Sequence, residues 1–169
     1  MALHETANLI ESLTKSKGGI TGAETGWIDF DKMTSGLHKG DVVVVAGRPS
    51  MGKSAFALNM VERVAKNTNK PCLVFSLEMP IQQLIFRMIA SQGSIDQTDL
   101  RAGKIENENA RKLCAGFAAV NELKILFNDC SSLTPSELRS AARREQRQHG
   151  ELGMIMIDYL QLMSAPGHG

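Results

Sequence analysis

Apolar and polar positions change their period along this chain, and the changes predict strands and helices in alternation. Four short apolar runs bounded by turn residues are typical of buried strands, at residues 41–46, 71–76, 124–128 and 153–158. Between them, helices are predicted at residues 54–66, 81–91, 95–102 and 106–120, the first from apolar residues at helical spacing and the second with Pro80 in its first turn. A capping box with Pro at the first helical position, Thr134-Pro135-Ser136-Glu137, predicts a further helix at 134–149. This order indicates an α/β fold with a mostly parallel sheet flanked by helices.

The first residues of the chain carry a separate apolar stripe. Four apolar residues spaced at i, i+4, i+7 and i+10 predict one short amphipathic helix: Leu3, Ala7, Ile10 and Leu13. Residues 14–26 are rich in Lys, Gly, Ser and Thr, and this composition predicts a flexible linker. The helix must bury its stripe on its own domain or on a neighbouring copy. We therefore expect a helix and linker at 1–26 and an α/β domain at 27–169.

The strand predicted at 41–46 leads into the pattern Gly-x-x-x-x-Gly-Lys-Ser, which is typical of loops that bind nucleoside triphosphates. Its residues are Gly47, Arg48, Pro49, Ser50, Met51, Gly52, Lys53 and Ser54. The glycines let backbone N–H groups turn toward phosphate oxygens. The ammonium of Lys53 suits the β and γ phosphates, and the hydroxyl of Ser54 suits Mg²⁺. The helix that follows directs its positive end at the anion.

An acidic residue ends the last predicted strand. Asp158 follows the apolar run at 153–157, and active-site groups of open α/β sheets lie at the carboxyl ends of strands. Next to a phosphate loop, such a residue is typical of the acid that holds Mg²⁺ through its water shell. The alternative is an aspartate that only begins a turn. The presence of the loop favours the metal-site interpretation.

Hydrolysis also needs a base that orients and activates water. Tyr159 follows Asp158, although many such ATPases have a glutamate directly after the aspartate, so the base must come from elsewhere. Glu78 is the best candidate because it lies just past the second predicted strand, at the same carboxyl edge as the loop. The alternative is a carboxylate that stabilises the first turn of the helix after Pro80.

The charge of the chain does not indicate a nucleic-acid-binding surface. Its net charge is +1, so any contact with DNA would come from local loops or from a ring of subunits. Arg139, Arg143 and Arg147 form an i, i+4, i+8 stripe that could face phosphates or another subunit. Acidic neighbours on the same helix favour a solvated outer face instead.

Cysteine usage and hydropathy point to the cytoplasm. The three cysteines, Cys72, Cys114 and Cys130, have no metal-ligand spacing and are typical of reduced thiols in a cytosolic protein. No apolar stretch approaches ~20 residues, so we expect no membrane span. The first residues lack the basic and apolar runs of a secretory signal.

Three motifs, taken together and in order, resemble the motor domain of DnaB-type replicative DNA helicases. They are Gly-Arg-Pro-Ser-Met-Gly-Lys-Ser at 47–54, Phe-Ser-Leu-Glu-Met-Pro at 75–80 and Ile-Met-Ile-Asp-Tyr-Leu-Gln-Leu-Met at 155–163. Segments 25–37 and 132–135 share the resemblance, which therefore covers nearly the whole chain. It implies a RecA-like P-loop NTPase fold and a homo-hexameric ring. Such a ring would move on single-stranded DNA and separate the duplex with ATP and Mg²⁺.

The resemblance also assigns roles to individual residues. It implies that Glu78 is the catalytic glutamate, that Lys53 and Ser54 contact phosphate and Mg²⁺, and that Asp158 is the acid of the Mg²⁺ site. The helix of residues 3–13 is similar to the family's linker helix, which packs on the adjacent subunit. A primase and a helicase loader follow as partners from the resemblance alone.

The chain departs from the family pattern at both ends. It begins at the linker, so the family's N-terminal domain, which meets primase, is expected to be absent. It ends eleven residues after Asp158, before the family's next strand, its DNA-contacting loops and the arginine that reaches a neighbour's ATP. That strand lies between the Asp158 strand and the phosphate-loop strand in the RecA-like arrangement. We therefore expect a RecA-like domain truncated after the Asp158 strand, either a piece of a longer protein or a natural short product.

Two other functions remain open on the sequence. One is a RecA-family ATPase of another type, a recombinase or an enzyme that remodels a partner, which the residues after 169 would distinguish. The other is a truncated nucleotide-binding or subunit-docking module without catalysis. ATPase activity of the chain alone would count against that module.

Overall fold

The computed structural model describes residues 20–103, 107–130 and 132–164. The helix predicted from Leu3 to Leu13 lies outside the described residues, as do 104–106 and 165–169. The helices are α1 (Ile28–Thr34), α2 (Lys53–Thr68), α3 (Ile81–Gln92), α4 (Gln97–Arg101), α5 (Asn107–Glu122) and α6 (Pro135–His149). The strands are β1 (Cys72–Ser76), β2 (Ile125–Asp129) and β3 (Met154–Asp158), and a short 3₁₀ helix follows at Leu160–Leu162.

The three strands form one parallel sheet in the order β2-β1-β3. All five residues of the central strand β1 are buried, which explains its continuous apolar run, because helices cover both faces of the sheet. Ser76, the last residue of β1, pairs in register with Asp129 on one side and Asp158 on the other. The carboxyl ends of all three strands therefore lie at one edge. The prediction of a parallel α/β sheet is confirmed at these three strands.

The prediction of a strand at 41–46 is wrong, because the structure has no strand in this segment. This segment pairs with no strand among the described residues, and Val42 and Val44 are 87% and 74% exposed. A strand is stabilised by its ladder partners, and here both sides of β1 are already taken by β2 and β3. The outer edge of β3 is likewise unpaired within the described residues, and Ile155 is 40% exposed.

Helices cover the two faces of the sheet unequally. On one face α2, α3 and α5 pack over a core of buried residues: Leu58, Val61, Val64, Ala65, Cys72, Val74, Leu84, Met88 and Met156. On the other face α6 alone packs over Leu73, Phe75 and Leu133, with several half-buried residues around them. The side chains of β1 alternate between the two cores, as expected for a strand. Val74 and Ser76 therefore face the side of α2.

Helix α6 begins as its sequence predicts. The Thr134 hydroxyl accepts a hydrogen bond from the Glu137 amide at 3.2 Å, and the Glu137 carboxylate accepts one from the Thr134 amide at 2.8 Å. This reciprocal pair is a capping box, and Pro135 occupies the first turn. Helix α3 differs slightly from expectation, because Pro80 is its N-cap rather than its first helical residue.

A buried carboxylate links α2 to α3. Glu62 of α2 is 4% exposed, and its Oε2 accepts a hydrogen bond from the Gln92 side chain at the end of α3. Its Oε1 is buried without a hydrogen-bond partner in the described part of the chain. Burial raises the pKa of Glu62 above its ordinary 4.5, and the Gln92 hydrogen bond and the charge of Arg63 offset this only in part.

We expect Glu62→Gln to remove a pH dependence of stability. Because the folded protein holds this proton more tightly than the unfolded chain, the contribution of Glu62 to folding is fully present below pH 4.5. It is lost as the pH rises through the raised pKa. Urea unfolding between pH 4 and about 8 should show this loss in the parent protein and not in the variant. Glu122→Gln, at an exposed position of α5, is the control, and parallel curves for parent and Glu62→Gln would contradict the prediction.

Candidate nucleotide-binding site

The phosphate loop turns directly into α2. Gly52 is the N-cap of α2 with φ +85°, a left-handed conformation that strongly favours glycine. No side chain of the described residues caps this helix, so the N–H groups of its first turn are left for another acceptor. Residues 47–52 are exposed. The loop is therefore accessible to an anion from solvent.

Lys53 crosses the loop that precedes it. Its Nζ donates a hydrogen bond to the Arg48 carbonyl at 3.1 Å. A Cβ added to Gly47 would lie 3.6 Å from the Lys53 Cγ, so the lysine stem passes over Gly47 in ordinary contact. Ser54 follows in the same first turn and is half-buried. The ammonium of Lys53 therefore lies against the loop.

The direction of α2 brings these groups to the carboxyl edge of the sheet. A Cβ added to Gly153, just before β3, would lie 3.2 Å from the Thr68 Oγ1 at the end of α2. The end of α2 therefore lies beside the start of β3. Because Leu58, Val61 and Val64 of α2 pack along the same face of the sheet, the first turn of the helix is directed toward the opposite end of the strand. It follows that Lys53 and Ser54 lie toward the end of β3 at which Asp158 is found.

Asp158 is buried at that edge and incompletely bonded. It is 7% exposed, and its Oδ2 is buried with no hydrogen-bond partner among the described residues. Met156, two residues earlier, packs in the core beside α2, so by strand alternation Asp158 faces α2 as well. A buried carboxylate oxygen without a donor is costly. A water molecule of a cation's hydration shell would supply the missing donor.

Glu78 lies at the same edge, between β1 and α3. Its side chain is exposed, and the preceding residue, Leu77, donates its amide to the Asp158 carbonyl at 2.8 Å. The structure thus brings Glu78 and Asp158 into adjoining segments. Sequence reasoning missed Ser76, which is 2% exposed and donates its hydroxyl to the Met79 carbonyl. The signal in the sequence that could have revealed Ser76 was a polar residue at the end of an apolar run.

The donors present fit a magnesium ion bound together with a nucleotide. Mg²⁺ keeps several waters and is usually held by one or two protein oxygens plus substrate phosphates. Within the described ranges no group of three or more His, Cys, Asp or Glu side chains forms a metal cage. Ser54 as a direct ligand and the unpartnered Asp158 oxygen as a contact to bound water match that sparse arrangement.

Helix α1 supports α2 from the side. The rings of Trp27 and Phe56 lie 5.2 Å apart, so the start of α1 packs on the first turn of α2. Asp31 of α1 is buried and accepts hydrogen bonds from the amide and the hydroxyl of Thr25 at 2.9 and 2.7 Å. The helix that carries Lys53 is therefore held on both sides, by the sheet and by α1.

A parallel sheet with this loop, helix and edge aspartate defines a RecA-like P-loop ATPase domain. The sequence model of the "DnaB-like helicase C terminal domain" matches residues 22–169, and the chain belongs to that family. It is 47% identical to the replicative DNA helicase DnaB of Pasteurella multocida over 98% of this chain, and 43% identical to that of Geobacillus stearothermophilus. The chain spans 36% of the length of these relatives.

Solved structures show the same fold. The ATPase domain of G40P superposes with a TM-score of 0.89 at 28% identity, covering 100% of this chain and 60% of that one. A DnaB-like replicative helicase, whose structure was described with its interactions with primase, gives a TM-score of 0.85 at 28% identity. That match covers 98% of this chain and 41% of the other. No described helix of this chain is long and apolar enough to cross a membrane.

Proposed function

We propose that this chain is the ATP-binding and ATP-hydrolysing portion of a replicative DNA helicase. The observation that carries the proposal is the buried Oδ2 of Asp158 at the carboxyl edge of the sheet, which has no hydrogen-bond partner among the described residues. A structural aspartate would normally have its oxygens bonded. The missing partner is explained if this oxygen accepts hydrogen bonds from the waters of a nucleotide-bound cation. The relatives named replicative DNA helicase support the wider assignment.

Each residue of the site has a role in this proposal. The N–H groups at the start of α2 bind phosphate oxygens, and Lys53 neutralises charge that develops on the γ phosphate. Ser54 and Asp158 would hold Mg²⁺, and the bound ion would supply positive charge that offsets the negative charge of the phosphates. Glu78 accepts a hydrogen bond from the attacking water and orients it toward the γ phosphorus. A neighbouring subunit supplies an arginine to the same phosphate.

The assembly and partners belong to the same proposal. The apolar stripe of residues 3–13 docks on an adjacent copy, which builds a homo-hexamer around single-stranded DNA in the cytoplasm. A primase and a loader bind the complete ring. The support for this is family membership and the neighbour whose structure was described with primase.

The proposal is tested by measuring DNA-stimulated ATPase activity of the 169-residue chain, with its mass read by light scattering in the same samples. Lys53→Ala is the test variant, and Lys66→Ala, an exposed lysine of the same helix, is the matched control. We expect turnover that requires Lys53 and not Lys66, because only Lys53 borders the loop. DNA-stimulated ATPase activity that is equal in all three proteins would refute the proposal.

A second candidate function is a module that binds nucleotide without hydrolysing it. The exposed segment 41–46 favours it, because the loop is anchored on that side by no strand within the described residues. A monomer that binds nucleotide through Lys53 but shows no turnover would support this module. A large assembly with turnover would support the helicase motor.

A further inference from the structure

The side chain of Ser76 closes a short turn that contains Glu78. It is the last residue of β1 and is 2% exposed. Its hydroxyl donates to the carbonyl of Met79, three residues along. The two residues inside this turn are Leu77 and Glu78. The hydrogen bond therefore spans the candidate base, and one end of it belongs to the most deeply buried strand of the sheet.

The first residue inside the turn is tied to β3. The Leu77 amide donates to the Asp158 carbonyl at 2.8 Å. Beyond the turn, Pro80 is the N-cap of α3, and its ring restricts the backbone there. The turn is thus held by one bond to β3, one bond to the Ser76 hydroxyl and a rigid junction with α3. Of these, only the Ser76 bond is made by a side chain that a single substitution can remove.

The same hydroxyl lies beside Asp158. Ser76 and Asp158 are register partners in neighbouring parallel strands, and both side chains face α2. A serine hydroxyl has one proton to donate. Because that proton is directed at Met79, it is not directed at Asp158, whose Oδ2 has no hydrogen-bond partner among the described residues. The arrangement fixes the Glu78 turn and leaves the Asp158 oxygen available.

We propose that Ser76 is a positioning residue of the nucleotide site, which holds Glu78 at the carboxyl edge beside Asp158 without occupying the Asp158 carboxylate. This inference rests on the proposed function of Glu78. Ser76 acts through the turn and contacts no substrate. Loss of the Ser76 hydroxyl would leave the phosphate loop unchanged, because that loop lies on another segment. It would change only the position of Glu78.

The first test needs no turnover. Amide hydrogen exchange at Leu77 is measured in the 169-residue chain, in Ser76→Ala, in Ser76→Thr and in Ser91→Ala, an exposed serine of α3. We expect Ser76→Ala to speed Leu77 exchange roughly 3- to 10-fold, which matches the loss of one hydrogen bond. Ser76→Thr keeps the hydroxyl and should restore slow exchange. Unchanged exchange in Ser76→Ala, or equal acceleration in Ser91→Ala, would overturn the proposal.

The second test separates positioning from a general loss of stability. In an assembly that turns over ATP, Ser76→Ala should lower kcat roughly 10- to 100-fold with an unchanged KM, because a misplaced catalytic group affects the chemical step. In the Glu78→Gln background the same change should have no further effect, since the group it positions is already gone. An equal loss in both backgrounds would refute the role of Ser76. An unaltered rate in Glu78→Gln itself would instead refute the proposed function of Glu78.

Discussion

Replacing Glu78 with glutamine is expected to reduce ATP turnover about 10²- to 10⁴-fold, the range that a positioned general base contributes. Glutamine keeps the size of the side chain and loses the ability to accept a proton. Nucleotide affinity should stay within about 2-fold, because the phosphates are bound by the loop and by Lys53 on a different segment. Steady-state ATPase rates and equilibrium binding of a fluorescent nucleotide, measured on the same assembly, check both expectations.

Glu122→Gln provides the matched control for this change. Glu122 ends α5 and is exposed, so it reports the effect of removing one surface carboxylate from the same domain. Turnover in Glu78→Gln that equals turnover in Glu122→Gln would show that another group activates water. A parallel loss of nucleotide binding would show that Glu78 supports the site rather than the reaction.

Replacing Asp158 with asparagine is expected to raise the Mg²⁺ concentration required for tight nucleotide binding about 10- to 100-fold, the usual cost of losing an outer-shell partner of a metal. The amide is neutral, so its oxygen accepts hydrogen bonds from metal-bound water more weakly than a carboxylate does. Asparagine also brings a donor into the place where a buried acceptor now lies. Nucleotide affinity measured across a Mg²⁺ titration checks the prediction.

Asp129→Asn is the control for the aspartate of the metal site. Asp129 is the register partner of Ser76 on the opposite side of β1, so it ends a strand at the same edge of the sheet. It is exposed, and no metal role is assigned to it. If both substitutions shifted the Mg²⁺ requirement equally, the effect would be one of net charge at this edge. The particular position of Asp158 would then be irrelevant.

The parts of the site that could be predicted from sequence are those with a local cause. The loop at 47–54 is specified by glycines and a lysine at fixed spacing, and Gly52 indeed adopts a positive φ. The strand before Asp158 was predictable from its continuous run of apolar residues, although Ile155 in that run is 40% exposed in the structure. The capping box at Thr134 needs only residues three apart. None of these depends on a distant segment.

Features that depend on neighbours in space were not predictable. Segment 41–46 has the composition of a strand, yet β-propensity is expressed only when another strand provides a ladder partner, and none of the described residues does. Glu62 has an ordinary helical position, and its burial follows from the packing of α3 on α2. The hydrogen bond of the Ser76 hydroxyl to the Met79 carbonyl, rather than to Asp158, depends on the fold of the turn after β1.

The sequence by itself determined the three strands that pair, the helices between them, the phosphate-loop motif and the acidic residue at the end of the last strand. These depend on residue type and short spacing, which act within one or two turns of chain. Only the tertiary structure decided which segments pair, which carboxylate is buried and which oxygen is left without a donor. Such outcomes depend on contacts between residues far apart in sequence, where burial and hydrogen-bond geometry outweigh local propensity.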